Sequence, residues 1–203
     1  MQPATEDQAN AFVVVGYDAR MPPRDREQGR VCSVDAMVWP TAIPESLWAH
    51  SFSLGFQGLW SNRDELYAAA EELQDSVLIG VTWSLDLACS AGLVPTGEVG
   101  DVDGIYGLFR EGREPATPAN IGGDWKFLGY DVADAWLMSA IWNMGLEEER
   151  PPVAVIGDSF VKQNESGLFH GLEDALEFSR VANSLAPEHA PFSPFGVWVH
   201  LKK

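Results

Sequence analysis

The chain has 203 residues, 46% of them hydrophobic, and carries thirty Asp and Glu against thirteen Lys and Arg, for a formal net charge of -17. That apolar content can fill a sizeable core and excludes a disordered chain. The charge opposes direct nucleic-acid binding and adhesion to an anionic membrane, since both depend on Lys and Arg.

The opening MQPATEDQAN is polar and acidic and lacks the cationic flank and apolar stretch of a secretion signal, so a cytoplasmic protein is expected. An apolar run from Phe12 to Tyr17 predicts the first strand. Arg20, Arg24, Arg26 and Arg30 then form a cationic segment beside an anionic body. Val34 to Trp39 predicts a second strand. In SNRDELYAAAEEL, Asn62 is placed to cap a helix, with Glu65 three residues on and an apolar stripe of Leu66, Ala69, Ala70 and Leu73. Val77 to Trp83 predicts a strand rich in β-branched and aromatic residues.

Residues 98–120 are rich in Gly and Pro and read as a long loop, the one place where a weak domain boundary fits. Trp125 to Tyr130 predicts another strand. DVADAWLMSAIWNMG predicts a second helix, with Asp131 as N-cap and Gly145 as its stop. Val153 to Ile156 predicts a short strand. GLEDALEFSRVANSLAP predicts a third helix ended by Pro187, whose face of Leu172, Ala175, Leu176, Ala182 and Leu185 opposes Glu173, Glu177 and Arg180. Phe195 to Leu201 predicts the last strand. Helices spread between strands, with no polar linker, indicate a single α+β domain over residues 1–203: a mixed or mostly antiparallel sheet covered by these helices. Gly-Tyr-Asp occurs at 16–18 and again at 129–131, each time after an apolar run; three residues do not establish a repeat. Cys32 and Cys89 are too few for a disulfide scaffold and read as buried thiols, with a pairing between them left open.

Local electrostatics are disobeyed at two helix ends. Carboxylates are unfavourable at a helix C-terminus by roughly 0.3–1 kcal/mol each. The first helix nevertheless ends in Glu71 and Glu72, followed by Asp75, and the second is followed at once by Glu147, Glu148 and Glu149. Rules broken locally often mark function, so these acids are candidate contacts for a cationic partner. On the second helix, Met138 and Trp142 fall one turn apart, opposite the main apolar stripe of Val132, Ala133, Trp136, Leu137, Ala140, Ile141 and Met144. They are candidate apolar anchors beside the glutamates.

Catalytic and metal signatures are sparse. Asp101 and Asp103 in GDVDG lack the companion acids of a calcium loop, and the four histidines form no ligand pair at helical spacing. No cofactor or metal is therefore expected. In VAVIGDSFV an apolar strand runs into Gly157-Asp158-Ser159-Phe160, which resembles the first block of the GDSL-type (SGNH) esterases. That resemblance implies a Ser159 nucleophile, a histidine base such as His189, and an oxyanion held by Gly157 and an Asn. The chain departs from the family pattern in three ways: only 44 residues follow Ser159, no Asp-x-x-His occurs late, and there is no Gly-x-Asn-Asp block. The charge and the missing motifs together point to a non-catalytic binding protein of inhibitor or immunity type. Its partner would be a basic protein, such as a toxin or a nucleic-acid enzyme. A GDSL-like serine hydrolase and a structural or assembly protein stand as alternatives.

Overall fold

The computed structural model describes residues 12–22, 25–26, 29–30, 32–43, 59–60, 62–71, 73, 75–93, 123–144 and 163–201. Among the described residues ten elements follow in chain order: β1 (Val13–Arg20), β2 (Asp25–Arg26), β3 (Gly29–Arg30), α1 (Arg63–Glu71), β4 (Val77–Trp83), α2 (Leu85–Ser90), β5 (Trp125–Ala133), α3 (Ala140–Met144), α4 (Leu172–Leu185) and β6 (Ser193–His200). β1, β4, β6 and β5 form, in that order, a wholly antiparallel four-stranded sheet, and β2 pairs with β3 in a small ribbon. The class is α+β.

The sheet separates two packing layers because strand side chains alternate between faces. Ile79, Val81, Trp83, Phe195 and Val197 project to one face, where they pack with Cys32, Val34, Trp39, Ala135 and Leu137 from the connecting segments. The other face carries the long helices. Leu66 and Ala70 of α1 pack with Leu78, Trp60 and Trp125. Ala175, Phe178 and Ala182 of α4 pack with Tyr130, Val132 and Phe12.

The second half of the chain repeats the first. Gly16, Tyr17 and Asp18 of β1 pair with Val81, Gly80 and Ile79 of β4, while Gly129, Tyr130 and Asp131 of β5 pair with Val197, Gly196 and Phe195 of β6. A register irregularity precedes the glycine in both strands. β4 and β6 pair through Val81 and Val197, the equivalent residues of the two halves, so a pseudo-two-fold axis passes between them. Each tyrosine forms an edge bridge to the segment that enters the helix, Tyr17 to Trp60 and Tyr130 to Phe169. Each also packs on an aromatic ring at the start of the opposite edge strand, Trp125 opening β5 and Phe12 immediately preceding β1: Tyr17–Trp125 and Phe12–Tyr130 both lie 5.7 Å apart at 45°. The glycines admit this close edge contact. A Cβ at Gly16 would stand 2.8 Å from Leu59 Cβ, and one at Gly129 would stand 2.7 Å from the Phe169 carbonyl. The Gly-Tyr-Asp tripeptides are thus equivalent structural positions.

The helix expected at Asn62 forms as read. Asn62 Oδ1 accepts from the Asp64 and Glu65 amides at 2.9 and 3.4 Å, and its Nδ2 donates to Glu65 Oε1 at 3.0 Å. α4 also forms as expected, although Leu185 is exposed and Phe178 and Ser179 take core positions instead. Two expectations fail. Val34 to Trp39 is not a strand: the Val38 and Trp39 amides turn back onto the Asp35 carbonyl. The second helix does not begin at Asp131. Pairing with β6 keeps residues 125–133 extended, Leu137 has a φ of 61, and only Ala140–Met144 is helical. The strand expected at Val153–Ile156 lies outside the described residues.

Candidate functional site

The two edge strands end differently, and the difference builds a site. After β5 the chain returns at once, and Ala133 bridges Ser139. Asp134 Oδ1 holds that turn by accepting from the Trp136 and Met138 amides at 2.8 and 2.9 Å. After β1 the equivalent closure, Arg20 to Thr41, comes only after a long excursion. That excursion crosses to the second half. The Cys32 amide donates to the Ser166 carbonyl at 3.1 Å, and Ser33 Oγ and the Val34 amide donate to Asp131 Oδ2 at 2.6 and 2.9 Å.

The two equivalent aspartates hold the excursion at both ends. Asp131 is fully buried, and its Oδ1 accepts from Ser139 Oγ at 2.6 Å and the Val132 amide at 2.8 Å. Burial pushes Asp131 up to about 6 against the pull of these donors. Asp18, also fully buried, accepts from Thr41 Oγ1 at 2.9 Å and from the Ala19 amide at 2.7 Å. It faces Arg20 Nε at 2.5 Å. Burial pushes Asp18 up to about 6 as well, with Arg20 opposing. Arg20 itself has no exposed surface; it donates to the Val34 carbonyl at 3.0 Å and to the Trp39 carbonyl.

Asp35 joins the excursion to the tight turn. Its Oδ1 accepts from the Met37 amide at 2.8 Å and its Oδ2 from the Ser139 amide at 3.2 Å. Met37 and the Trp136–Met138 turn are therefore gripped by neighbouring carboxylates. Burial raises the pKa of Asp134, opposed by the Met138 and Trp136 amides and by His189. On the outer surface of this wiring, Met37 is 87% exposed, Trp136 43% and Met138 39%. Exposed apolar side chains on a polar scaffold can seat a partner but supply no nucleophile or base of their own.

The residues singled out from the sequence scatter. Met138 is exposed, but it precedes α3 and is not one helical turn from Trp142 on a common face. Trp142 is half-buried against the α4 layer and covers Gly167, where a Cβ would meet its ring at 2.5 Å. Trp142 is therefore a packing residue. Glu71 closes α1, which has no basic residue in its last turn, and Asp75 is exposed at a φ of 70. Glu72, Glu147, Glu148, Glu149 and Ser159 lie outside the described residues, as do Asp101 and Asp103. His189 is exposed in the turn after α4. Cys32 is buried and Cys89 is a half-buried thiol. Among the described residues no cluster of three or more His, Cys, Asp or Glu is placed to hold a metal, and no helix is long and apolar enough to cross a membrane.

Sequence reading missed Ser33, Asp35, Asp134 and Ser139 and placed Trp136 on a buried stripe. A signal was available. Asp35-Ala-Met37 and Asp134-Ala-Trp136 share one pattern, in which an aspartate accepts from the amide two residues on. Compared with protein-family models, with curated proteins and with solved structures, the chain matches none.

Proposed function

We propose that this chain is a non-catalytic acidic binding protein, of inhibitor or immunity type, that acts in the cytoplasm by neutralising a basic protein partner. One observation carries the reading: acid dominates the exposed surface as well as the composition. On α4, Glu173 and Glu177 are exposed beside Arg180. Asp75, Asp86, Asp124, Glu165 and Glu188 are exposed on turns and on α2. The exposed bases among the described side chains are Arg63, Lys126 and Arg180, and Arg63 lies 3.5 Å from Asp64. The large carboxylates that burial conceals are matched by donors or by Arg20, so the unmatched charge faces water.

A surface of this sign accelerates encounter with a cationic protein through a field that salt screens within roughly 10 Å at 0.1 M. The test is a pull-down from the native host, followed by stopped-flow association of the purified pair across a salt series. The association rate should fall by about tenfold or more from low to high salt. Reversal of Glu147, Glu148 and Glu149 to Lys should slow capture without altering thermal unfolding. A rate indifferent to salt would remove the electrostatic basis of the proposal.

A further inference from the structure

We infer that Tyr17 and Tyr67, with the carboxylates of Asp64 and Asp124 beside them, form the surface that receives an arginine side chain of a basic protein partner. This rests on the acidic-binder reading and says where on the molecule the partner sits.

The repeat supplies the comparison. Trp60 and Phe169 are equivalent, since each bridges the tyrosine of its own half, and Arg63 and Leu172 then open α1 and α4 at the same distance along the chain. Arg63 therefore matches Leu172, and Tyr67 matches Leu176. In the second half Leu172 is buried in the cluster that holds Tyr130 at 5% exposure, and Leu176 packs against that cluster. In the first half Arg63 keeps 47% of its side chain exposed, and Tyr17 and Tyr67 are left half-buried. The fold can close over a tyrosine at this place with leucines. In the first half it carries arginine and tyrosine there and stays open.

The open patch is a fixed run of rings. Tyr67 lies against His200 and His200 against Trp125, both with centroids 5.1 Å apart, and Trp125 lies 5.7 Å from Tyr17. Leu66, Ala70 and Leu78 pack in the cluster behind them. Rings held before encounter lose little freedom on binding.

Charge and ring together select the occupant. Asp64 and Asp124 are exposed, Asp64 with 82% of its side chain in water. Burial raises the Tyr67 pKa, Arg63 opposes the rise, and Tyr17, Asp64 and Asp124 add to it, so these groups lie within electrostatic reach of one another. Burial raises Tyr17 as well, with Arg63 opposing and Asp64 adding. The chain itself displays the contact: Arg63 Cζ stands 5.7 Å from the Tyr67 ring centroid, and Arg63 Nε stands 3.5 Å from Asp64. A guanidinium can stack on an aromatic face and fork onto a carboxylate, whereas an ammonium acts as a point charge. Arg63 is a loose occupant, half in water and in long contact with its own neighbour. A partner's arginine can displace it, and the two aspartates leave one negative charge in excess to receive that arginine.

The test compares oligoarginine with oligolysine of equal length on the full chain at the same salt. The parent should bind oligoarginine about threefold more tightly or better. Tyr67→Leu installs the residue of the equivalent position in α4, so the unfolding midpoint and oligolysine binding should stay near those of the parent while most of the preference disappears. Arg63→Ala clears the resident guanidinium and should enlarge the preference. A preference that is absent, or that neither substitution changes, overturns the docking surface, while salt-dependent oligolysine binding keeps the acidic-binder reading standing. If neither peptide binds even at low salt, that reading fails as well. Sedimentation is the second measurement: a dimer in the parent that Tyr67→Leu abolishes would make a second copy the occupant and overturn the proposal.

Discussion

Replacing Asp131 by Asn removes one buried charge and keeps its shape, so it isolates how that charge responds to pH. Asp131 is 0% exposed, and burial raises its pKa from 3.8 to about 6 despite donation from Ser33, Val34, Val132 and Ser139. The folded protein therefore binds this proton more tightly than the unfolded chain does. The stability contributed by proton binding is fully present below the unfolded value of 3.8 and is lost as pH rises through about 6. At about 1.36 kcal/mol per pKa unit, the rise corresponds to about 3 kcal/mol. Asp131→Asn cannot titrate, so this portion of the pH dependence should vanish from it. The assay is urea unfolding of parent and variant, followed by tryptophan fluorescence, from about pH 4 to about pH 8. The parent should lose about 3 kcal/mol relative to the variant between about pH 4 and about pH 6.5, with no further change above. Asp18 titrates in both proteins and cancels from the difference. A flat difference would show that the carboxylate is not held above its ordinary value. A difference of opposite sign would show that the four donors outweigh burial.

Four further outcomes test the framework around the site. Arg20→Ala should cost about 3–5 kcal/mol in urea unfolding, because it leaves the Asp18 carboxylate buried without its cation; pairing it with Asp18→Asn should recover part of the loss, and full additivity would refute the coupling. Asn62→Ala should lower stability by about 1 kcal/mol through loss of the α1 cap, whereas Asn62→Asp should be nearly neutral. Gly196→Ala should cost about 1–3 kcal/mol, since its Cβ would overlap Thr82 Oγ1 in the centre of the sheet; an unchanged midpoint would contradict that crowding. Gly167→Ala should perturb the near-ultraviolet circular dichroism of Trp142, because the residue has a φ of 73 and its Cβ would enter that ring.

Elements governed by neighbours in sequence were legible. Asn62 and Glu65 sit at a helix start where cap geometry depends on only a few residues. Val77–Trp83 matches its predicted bounds because a buried central strand is dominated by β-branched and other apolar residues. The stretch from Asp131 to Met144 was misread because its apolar residues recur at helical spacing, although part of it pairs with β6. Once Asp134 gripped the Trp136 and Met138 amides, the chain turned instead of coiling. Helical spacing puts Met138 on the outer side and Trp136 on the buried side, whereas both are exposed.

The sequence alone determined the α+β class, the cap of α1, the bounds of α1 and α4, and the acidity that any partner must meet, because composition and short-range chemistry do not depend on distant contacts. Tertiary structure alone decided that the two Gly-Tyr-Asp segments are equivalent and that their aspartates hold one crossing segment at both ends. Those relations join residues about a hundred positions apart, as in the Ser33–Asp131 bond at a separation of 98. They exist only when antiparallel pairing brings β5 beside β6 and the excursion from β1 folds across to meet it.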